Sequence, residues 1–389
     1  MRIALVTETY RPETNGVAMT LGRLVDYVQR HGHRVELVTP TLRREDVPAG
    51  LSLLTLPGLP LPGYPEVRFG LPAVRRLVGE WGRHRPDVIY VATQGPLGWA
   101  AVRAARRLGL PVISGYHTHF SAYGQHYGLA LAAPLVDSYL RRFHRRTRLT
   151  LAPTRQLAAQ LQEAGFGDVE VLARGVDTQL FHPQRRDQGL RREWGMLPGS
   201  PVVLYVGRIA AEKNLELAVR AFLAIQRSSP TARFVLVGDG PLKARLAAEN
   251  PDFVFTGSQS GEALAQHYAS ADLFLFPSLT DTFGNVVLEA MASGLPVVAF
   301  DHGAAAEHIT PFSNGVSAPF GNADRFVALS ILLARETALR HRFGALARST
   351  VNTLDWDTVG ARFTALLTGQ AHRRGRELPP GPRPLEAVG

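Results

Sequence analysis

Two patterns of hydrophobic and polar positions alternate along almost the whole chain. One is a short, uninterrupted apolar run, such as residues 202–206 or 272–276, which is typical of a strand buried in a parallel sheet. The other is a longer segment with apolar residues at helical spacing, and Gly, Pro or Asn residues mark the junctions. This alternation predicts an α/β fold built from doubly wound parallel sheets.

The same patterns give the expected elements. In the first half we expect strands at 2–7, 34–39, 87–92, 111–114, 149–152 and 169–172, and helices at 17–31, 72–82, 97–108, 129–146 and 155–164. In the second half we expect strands at 202–206, 233–237, 253–256, 272–276 and 296–300, and helices at 215–226, 242–249, 262–269, 285–291, 324–351 and 356–367. The Pro- and Gly-rich segment 48–65 is expected to be a connection without strands.

The alternation breaks between residues 173 and 199, where Gly, Pro and clustered charges replace the periodic pattern. With 389 residues, the chain is long enough for two domains. We therefore predict two Rossmann-like domains that face a central cleft, at 1–175 and 200–354, joined by a hinge at 176–199. A helix at 355–369 is expected to cross back to the N-terminal domain, and the Pro-rich segment 370–389 to form a disordered tail.

Composition excludes several classes of protein. The chain has no Cys, which excludes disulfides and thiolate metal sites and fits a cytoplasmic protein. The first apolar run meets Glu8 too early for a signal peptide, and no apolar stretch is long enough to span a bilayer.

The positive charge of the chain is concentrated in its first half. Residues 1–185 contain 23 Lys and Arg against 14 Asp and Glu, and the densest basic segment is 141–148. Such an excess favours an anionic partner for that half, and a solvated helix face is the structural alternative. Nucleic acid is not expected, because recognition motifs and aromatic stacking patterns are missing.

Two carboxylates, Asp281 and Glu289, bracket the stretch in which a strand, a loop and a helix N-terminus meet. In open α/β sheets this crevice binds ligands, and the exposed helix N–H groups favour an anion. Asp281 could accept hydrogen bonds from sugar hydroxyls, the backbone of 283–286 could cradle the sugar, and Glu289 could hold a ribose. The structural alternatives are an N-cap role for Asp281 and an exposed helical carboxylate for Glu289.

The loop 206–215, after the first strand of the second domain, supplies the opposite charge. Gly207 allows the backbone to approach a ligand, and Arg208 and Lys213 provide two cations that could offset a diphosphate. Surface charges at a loop are the structural alternative. The chain has neither G-x-G-x-x-G nor G-x-x-x-x-G-K-[ST], so dinucleotide-dependent dehydrogenases and P-loop hydrolases are excluded.

Three histidines, His117, His119 and His126, follow a strand of the first domain. Their spacing matches no strong metal motif and no carboxylate lies near them in the sequence, so we expect no metal and no cofactor. A histidine that hydrogen-bonds a sugar hydroxyl across the cleft is the preferred interpretation, and a structural loop histidine is the alternative.

Taken together, these residues resemble the retaining GT-B glycosyltransferases of family 4. Asp281 to Glu289 resembles the E-x7-E element of the family, with Asp in place of the first Glu. Further matching segments are Asn15-Gly16, His117, Gly207-Arg208, Glu212 to Asn214, Gly238 to Pro241 and Glu289 to Val298. Thr280 to Glu289 and Tyr116 to His119 are most similar to the branch of GDP-mannose-dependent mannosyltransferases and glycolipid synthases.

The resemblance implies specific roles. Arg208 and Lys213 would bind the donor diphosphate, Glu289 the ribose, and Asp281 and His117 the transferred sugar. The donor site is expected to comprise Gly16, Gly207, Arg208, Lys213, Asp281, Phe283, Gly284, Asn285, Val286 and Glu289, with His117, Arg208, Lys213 and Asp281 as catalytic residues. Asn15, Tyr116 and His126 are expected on the acceptor side. The family generally needs no metal. The sequence departs from the family pattern at Asp281 and at 303–307, where many members have a Gly pair.

The leading hypothesis is a retaining transferase that moves a hexose, preferentially mannose from GDP-mannose, to a lipid or glycolipid hydroxyl. The expected partners are the nucleotide-sugar, the acceptor and an anionic membrane surface, on whose cytoplasmic face the basic half would rest. A UDP-sugar-dependent enzyme with a soluble sugar or polysaccharide acceptor, and an epimerase or hydrolase of the same fold, stay open.

Overall fold

The computed structural model describes residues 1–13, 15–40, 50–61, 64–117, 133–197 and 199–377. Over these ranges the chain forms two parallel sheets flanked by helices, which confirms the predicted α/β class. None of the described helices has the length and apolar character needed to cross a membrane.

The N-terminal domain contains a seven-stranded parallel sheet in the order β3-β2-β1-β6-β7-β8-β9, and an antiparallel hairpin made of β4 and β5. Its strands are β1 (Arg2–Val6), β2 (Arg34–Thr39), β3 (Ser52–Thr55), β4 (Gly58–Leu61), β5 (Tyr64–Gly70), β6 (Val88–Val91), β7 (Val112–Gly115), β8 (Leu149–Ala152) and β9 (Val169–Val171). Its helices are α1 (Gly16–Arg30), α2 (Val74–Arg83), α3 (Pro96–Leu108), α4 (Ala133–His144) and α5 (Arg155–Glu163).

The C-terminal domain contains a six-stranded parallel sheet in the order β12-β11-β10-β13-β14-β15. Helix α6 (Gln188–Glu193) lies in the connecting segment that precedes it. The strands are β10 (Val202–Val206), β11 (Arg233–Val237), β12 (Val254–Gly257), β13 (Leu273–Phe276), β14 (Val297–Phe300) and β15 (Val316–Ala318). The helices are α7 (Leu215–Ser228), α8 (Lys243–Glu249), α9 (Gly261–Ser270), α10 (Asn285–Ala292), α11 (Gly303–His308), α12 (Ala323–Arg335) and α13 (Thr337–Val351).

The two central strands of the second sheet are apolar on both faces. Every residue of β10 and β13 is buried. Alternate side chains of β10 enter two separate apolar clusters, one around Phe274 and Met291 and the other around Phe222 and Phe234. The sheet therefore lies between two layers of helices, and only its edges and loops reach solvent.

The last described helix returns to the domain in which the chain begins. Helix α14 (Trp356–Glu377) packs on α1, and its Phe363 and Leu367 are buried in the same cluster as Leu21 and Leu24. The helix continues beyond the predicted end at 369, so the disordered segment predicted from 370 is wrong for 370–377, where the helical hydrogen bonds continue. Residues 378–389 lie outside the described residues.

Segment 48–65 also differs from the prediction of a connection without strands. Its described part contains β3, which extends the sheet by pairing with β2, and β4 with the start of β5. Three Pro residues hid this hairpin, because Pro weakens the sequence signal of a strand although it is tolerated where no ladder N–H is needed. Strand β15 and helix α11 are further elements that the sequence pattern did not predict, because both are very short.

The strand order places the functional loops. In the second sheet the order reverses between β10 and β13, and in the first between β1 and β6. Loops at the carboxyl ends of strands beside such a reversal leave a crevice in which ligands bind. The loops after β10 and β13 carry the predicted diphosphate and sugar residues.

Candidate active site

A direct ion pair joins the two loops at the reversal point of the second sheet. Lys213 Nζ lies 2.8 Å from both carboxylate oxygens of Asp281. Both side chains are largely buried. Burial acts to raise the pKa of Asp281, but the ammonium of Lys213 outweighs it, and the pKa lies below the usual value. Asp281 is therefore held ionised, and it is no N-cap, since Gly284 occupies that position of α10.

Side-chain hydroxyl groups from β10 and from the neighbouring loop hold the backbone of the loop after β10. Tyr205 donates a hydrogen bond to the Arg208 carbonyl at 2.9 Å, and Thr280 donates one to the Glu212 carbonyl at 3.0 Å. The buried carboxylate of Glu212 receives Arg208 Nη1 at 3.3 Å. The guanidinium of Arg208, on a partly exposed side chain, is thereby directed along the loop that also carries Lys213.

Residues 283–286 form the start of helix α10, as the sequence predicted. Gly284 has a φ of 88° and caps the helix, Asn285 and Val286 follow in its first turn, and Phe283 is buried. The carbonyl of Phe283 accepts a hydrogen bond from Ala304 N of α11 at 2.7 Å. The helix N-terminus beside Lys213 and Asp281 offers backbone N–H groups, which favour an anion.

Glu289 lies on the second turn of α10 and is partly buried. Tyr268 of α9, which has no exposed surface, donates a hydrogen bond to Glu289 Oε2 at 2.9 Å. Burial raises the pKa of Glu289 to about 7, and the Tyr268 hydrogen bond lowers it. The phenol leaves the other carboxylate oxygen for a ligand, so Glu289 is not the exposed helical carboxylate of the structural alternative.

His302 belongs to the same group of residues and was not predicted. Its Nε2 lies 3.1 Å from the Asp281 carbonyl, and its ring packs on Phe320 at 5.1 Å between centroids. It follows β14, the strand next to β13, so the carboxyl end of that strand was the available signal.

Asn15 and Gly16 lie on the other sheet, at the start of α1 after β1. Asn15 Oδ1 accepts hydrogen bonds from Val17 N and Ala18 N and caps the helix. Its amide donates to Thr9 and Glu13. Gly16 is exposed, so the start of α1 presents an accessible backbone.

His117 follows β7, and both of its ring nitrogens contact protein groups. Nε2 lies 2.8 Å from Tyr90 Oη, and Nδ1 lies 2.8 Å from Arg174 Nη2. A contact with a sugar hydroxyl therefore requires one nitrogen to share or exchange its partner.

Tyr116 and His126 are also predicted on the acceptor side. Tyr116 is 3% exposed and packs on His144 and Phe166. Tyr116 is thus buried in the N-terminal domain, and its place on the acceptor side stays a prediction. His126 and His119 lie outside the described residues, and the described part of the chain contains no group of three His, Asp or Glu that could hold a metal.

Comparisons with known proteins identify the family. Residues 187–350 match the family described as glycosyl transferases group 1, and residues 14–180 match glycosyltransferase family 4. The chain is 35% identical over 364 residues to the GDP-mannose-dependent alpha-mannosyltransferase of Mycobacterium tuberculosis (strain CDC 1551 / Oshkosh), which covers 92% of this chain and 94% of that protein. The chain belongs to glycosyltransferase family 4.

Other similarities to this family 4 glycosyltransferase extend over most of its length. It is 32% identical to the sulfoquinovosyl transferase SQD2 of Arabidopsis thaliana, over 91% of this chain and 71% of that protein. The sucrose-phosphate synthase of Thermosynechococcus elongatus superposes with a TM-score of 0.79 at 19% identity and covers 96% of this chain and 99% of that one. The family and the mannosyltransferase relative support a hexosyltransferase, and the structural neighbours confirm the GT-B fold.

Chemically, the site of this glycosyltransferase combines two cations, a helix N-terminus and two carboxylates around one crevice. In transfer of a glycosyl group, positive charge develops on the sugar and negative charge on the departing oxygen. Lys213 and Arg208 can stabilise the negative charge, and Asp281 lies beside them with its carboxylate ionised. The arrangement provides both kinds of charge at one place.

Proposed function

We propose that this family 4 enzyme transfers mannose from GDP-mannose to a hydroxyl of a lipid or glycolipid acceptor with retention of the anomeric configuration. The observation that carries the proposal is the group formed by Arg208, the Lys213–Asp281 pair and Glu289 at the reversal point of the second sheet. Similarity to a GDP-mannose-dependent alpha-mannosyltransferase over nearly the full length of both chains favours this donor.

In this proposal each residue meets one part of the donor. Arg208 and Lys213 bind the diphosphate, and Glu289 accepts hydrogen bonds from the ribose with the carboxylate oxygen that Tyr268 leaves available. Asp281 faces the sugar, and the backbone of 283–286 cradles it. The proposed reaction needs no metal, because two fixed cations and the helix N-terminus can offset the negative charge of the diphosphate.

Retention is proposed to occur by front-face displacement. The acceptor hydroxyl attacks the anomeric carbon from the side on which the diphosphate departs, and its proton passes to the departing phosphate oxygen. NMR spectroscopy of the product tests retention. We expect the alpha anomer, and the beta anomer would refute the front-face route.

The donor is tested by thermal unfolding in the presence of GDP, UDP, ADP and their sugars. Selective binding to the folded state raises the unfolding temperature. We expect GDP-mannose and GDP to stabilise the enzyme most. Stabilisation by a UDP-sugar and not by GDP-mannose would refute the donor assignment and favour the UDP-sugar alternative.

A lipid acceptor is proposed because the N-terminal domain is basic and exposes apolar side chains. Leu59, Phe69 and Leu71 are at least 39% exposed on and beside the β4–β5 hairpin, and Leu135 on α4 is 75% exposed. Cationic and apolar groups together favour the surface of an anionic membrane. We expect the protein to float with anionic vesicles at low salt and to detach at moderate salt, and no association at low salt would refute the membrane proposal.

A further inference from the structure

Arg174 is a buried cation without a carboxylate partner among the described residues. It follows β9, is 6% exposed, and its hydrogen bond from Nη2 goes to a neutral acceptor, Nδ1 of His117 at 2.8 Å. Burial lowers the pKa of Arg174 to about 10, so its guanidinium stays charged at neutral pH. Burying a charge beside an imidazole is costly, so the contact calls for an explanation beyond stability.

The chemistry of the guanidinium determines where the proton of His117 lies. Arginine can only donate hydrogen bonds, so Nδ1 must accept and carry no proton. A neutral imidazole then carries its proton on Nε2, which donates it to Tyr90 Oη at 2.8 Å.

Close packing surrounds the hydrogen bond between His117 and Tyr90. A Cβ atom at Gly115 would lie 2.2 Å from Tyr90 Oη and 2.4 Å from His117 Nε2, so the strand requires glycine beside the hydrogen bond. The ring of Phe363 from α14 packs edge-on against Tyr90 with centroids 4.9 Å apart. Gly115 of β7 and Phe363 of α14 thus both pack against the Tyr90 side of the contact.

We infer that Arg174 and Tyr90 hold His117 as a neutral ring protonated on Nε2, so that His117 serves glycosyl transfer as a hydrogen-bond donor and not as the base. Arg174 is a positioning residue in this scheme. The role in transfer depends on the proposed function, whereas the position of the proton does not. A substrate oxygen can share or replace Tyr90 at Nε2–H, and the acceptor proton must leave by another route, such as the departing phosphate oxygen.

The surrounding charges agree with a ring that does not titrate near neutral pH. Within the part of the chain that the structure describes, the titratable and charged groups that act on His117 are Arg174, Tyr90 of β6 and His144 of α4. Burial, the charge of Arg174 and His144 together lower the pKa of His117 well below its usual value.

The first test reads the proton directly, without substrate. In the full-length protein labelled with ¹⁵N-histidine, the signals of His117 are assigned by their loss in His117→Gln. We expect a neutral Nε2–H ring from pH 6 to 9 in the unmodified protein. In Arg174→Met, His117 should titrate or populate both tautomers, whereas Arg174→Lys should preserve Nε2–H. The control Arg85→Met removes an exposed arginine and should leave the spectrum unchanged. An Nδ1–H tautomer or an imidazolium at pH 7 in the unmodified protein overturns the inference.

The second test compares two amides that replace different nitrogens of the ring. The amide of glutamine reaches the position of Nε2, and that of asparagine the position of Nδ1. We expect His117→Gln to retain kcat at least about tenfold above that of His117→Asn, which is the effect of one hydrogen bond to a developing charge. Equal loss in both variants indicates a base and overturns the inference. If the protein transfers no sugar, the proposed function fails while the ¹⁵N spectrum still decides the tautomer.

Discussion

At the scale of single residues, the site contains an internal ion pair between Lys213 and Asp281. Lys213 cannot bind a diphosphate and the Asp281 carboxylate with full strength at once, and both oxygens of Asp281 lie 2.8 Å from its ammonium. When the donor binds, the ammonium of Lys213 must therefore share its hydrogen bonds and its charge between the Asp281 carboxylate and the phosphates. The carboxylate competes for a cation that the donor needs.

Replacing Asp281 should separate binding from transfer. In Asp281→Asn the ammonium of Lys213 is released and a negative charge near the diphosphate is removed, so GDP should bind about fivefold more tightly, a gain of about 1 kcal/mol. Turnover of GDP-mannose should fall, because the charge facing the sugar is lost. Calorimetric titration and initial rates measure the two effects.

Asp324→Asn is the matched control, because it removes the same charge from an exposed pair with Arg220. It should change neither the affinity for GDP nor the turnover of GDP-mannose. Weaker GDP binding in Asp281→Asn would show that the two loops do not compete for Lys213.

The raised pKa of Glu289 predicts a pH dependence of donor binding. The carboxylate accepts ribose hydroxyls only when ionised, so affinity for GDP-mannose should rise as the pH increases through about 7. This diphosphate diester does not titrate in that range. In Tyr268→Phe the carboxylate loses a hydrogen-bond donor, its pKa rises further, and the binding curve should move to higher pH.

Dissociation constants measured from pH 5.5 to 8.5 test this dependence. Glu289→Gln cannot ionise and should bind weakly with no such dependence, with or without Tyr268→Phe. The same group affects stability in the opposite sense, because its folded-state pKa lies above the unfolded one. The contribution of Glu289 to the free energy of unfolding is fully present below about pH 4.5 and is lost as the pH rises to about 7. A pH-independent affinity in the unmodified protein would contradict the ribose assignment.

At the scale of elements, the site depends on a close crossing of two strand-to-helix loops. Gly238, after β11, has a φ of 141°, and a Cβ atom there would lie 2.0 Å from the Gly207 carbonyl oxygen. The loop that carries Arg208 and Lys213 thus rests on a position that only glycine can occupy.

Gly238→Ala should displace the Arg208–Lys213 loop. The strained backbone alone should destabilise the protein by about 1–3 kcal/mol, and GDP affinity should fall with it. Urea unfolding and calorimetric titration measure both. Gly82→Ala in α2, where no atom lies within 4 Å of the added Cβ, is the control and should lower neither quantity, because alanine favours a helix over glycine. Normal GDP affinity in Gly238→Ala would show that the crossing does not position the cations.

Local signals in the sequence predicted many of the elements, but not the contacts between them. Apolar runs predicted the buried strands such as β10 and β13, and turn residues at their carboxyl ends predicted which loops carry chemistry, because both signals are local. The pairing of Lys213 with Asp281 and of Arg174 with His117 joins residues 68 and 57 positions apart. No local pattern encodes such pairs, since they depend on strand order.

At the scale of the whole molecule, an ion pair at a helix end bridges the two domains. Glu307 of α11 accepts a hydrogen bond from Arg155 N, at the start of α5, at 2.6 Å, and pairs with its Nε at 3.1 Å. Helix α11 also donates to the Phe283 carbonyl in the donor loop. The contact therefore ties the N-terminal domain to the element beside the sugar site.

Glu307→Gln should favour a more open arrangement of the domains. The substitution removes a charge at a helix N-terminus and an exposed ion pair. The free energy that favours the closed arrangement should fall by about 0.5–1 kcal/mol, which is a few-fold change in the closed fraction. Fluorescence energy transfer between labels on the two domains measures that fraction. Glu170→Gln breaks the Arg362 pair between β9 and α14 and should leave the distance unchanged. An unchanged distance in Glu307→Gln would show that this contact does not set the domain arrangement.

The return of helix α14 to the first domain affects how the protein is made. During synthesis the N-terminal sheet emerges first, yet Phe363 and Leu367, which complete its core beside Leu24 and Tyr90, leave the ribosome only after the whole second domain. The apolar face of α1 stays uncovered until then. The second domain can fold as a unit in the meantime, so the half that is translated first should be the half that matures last.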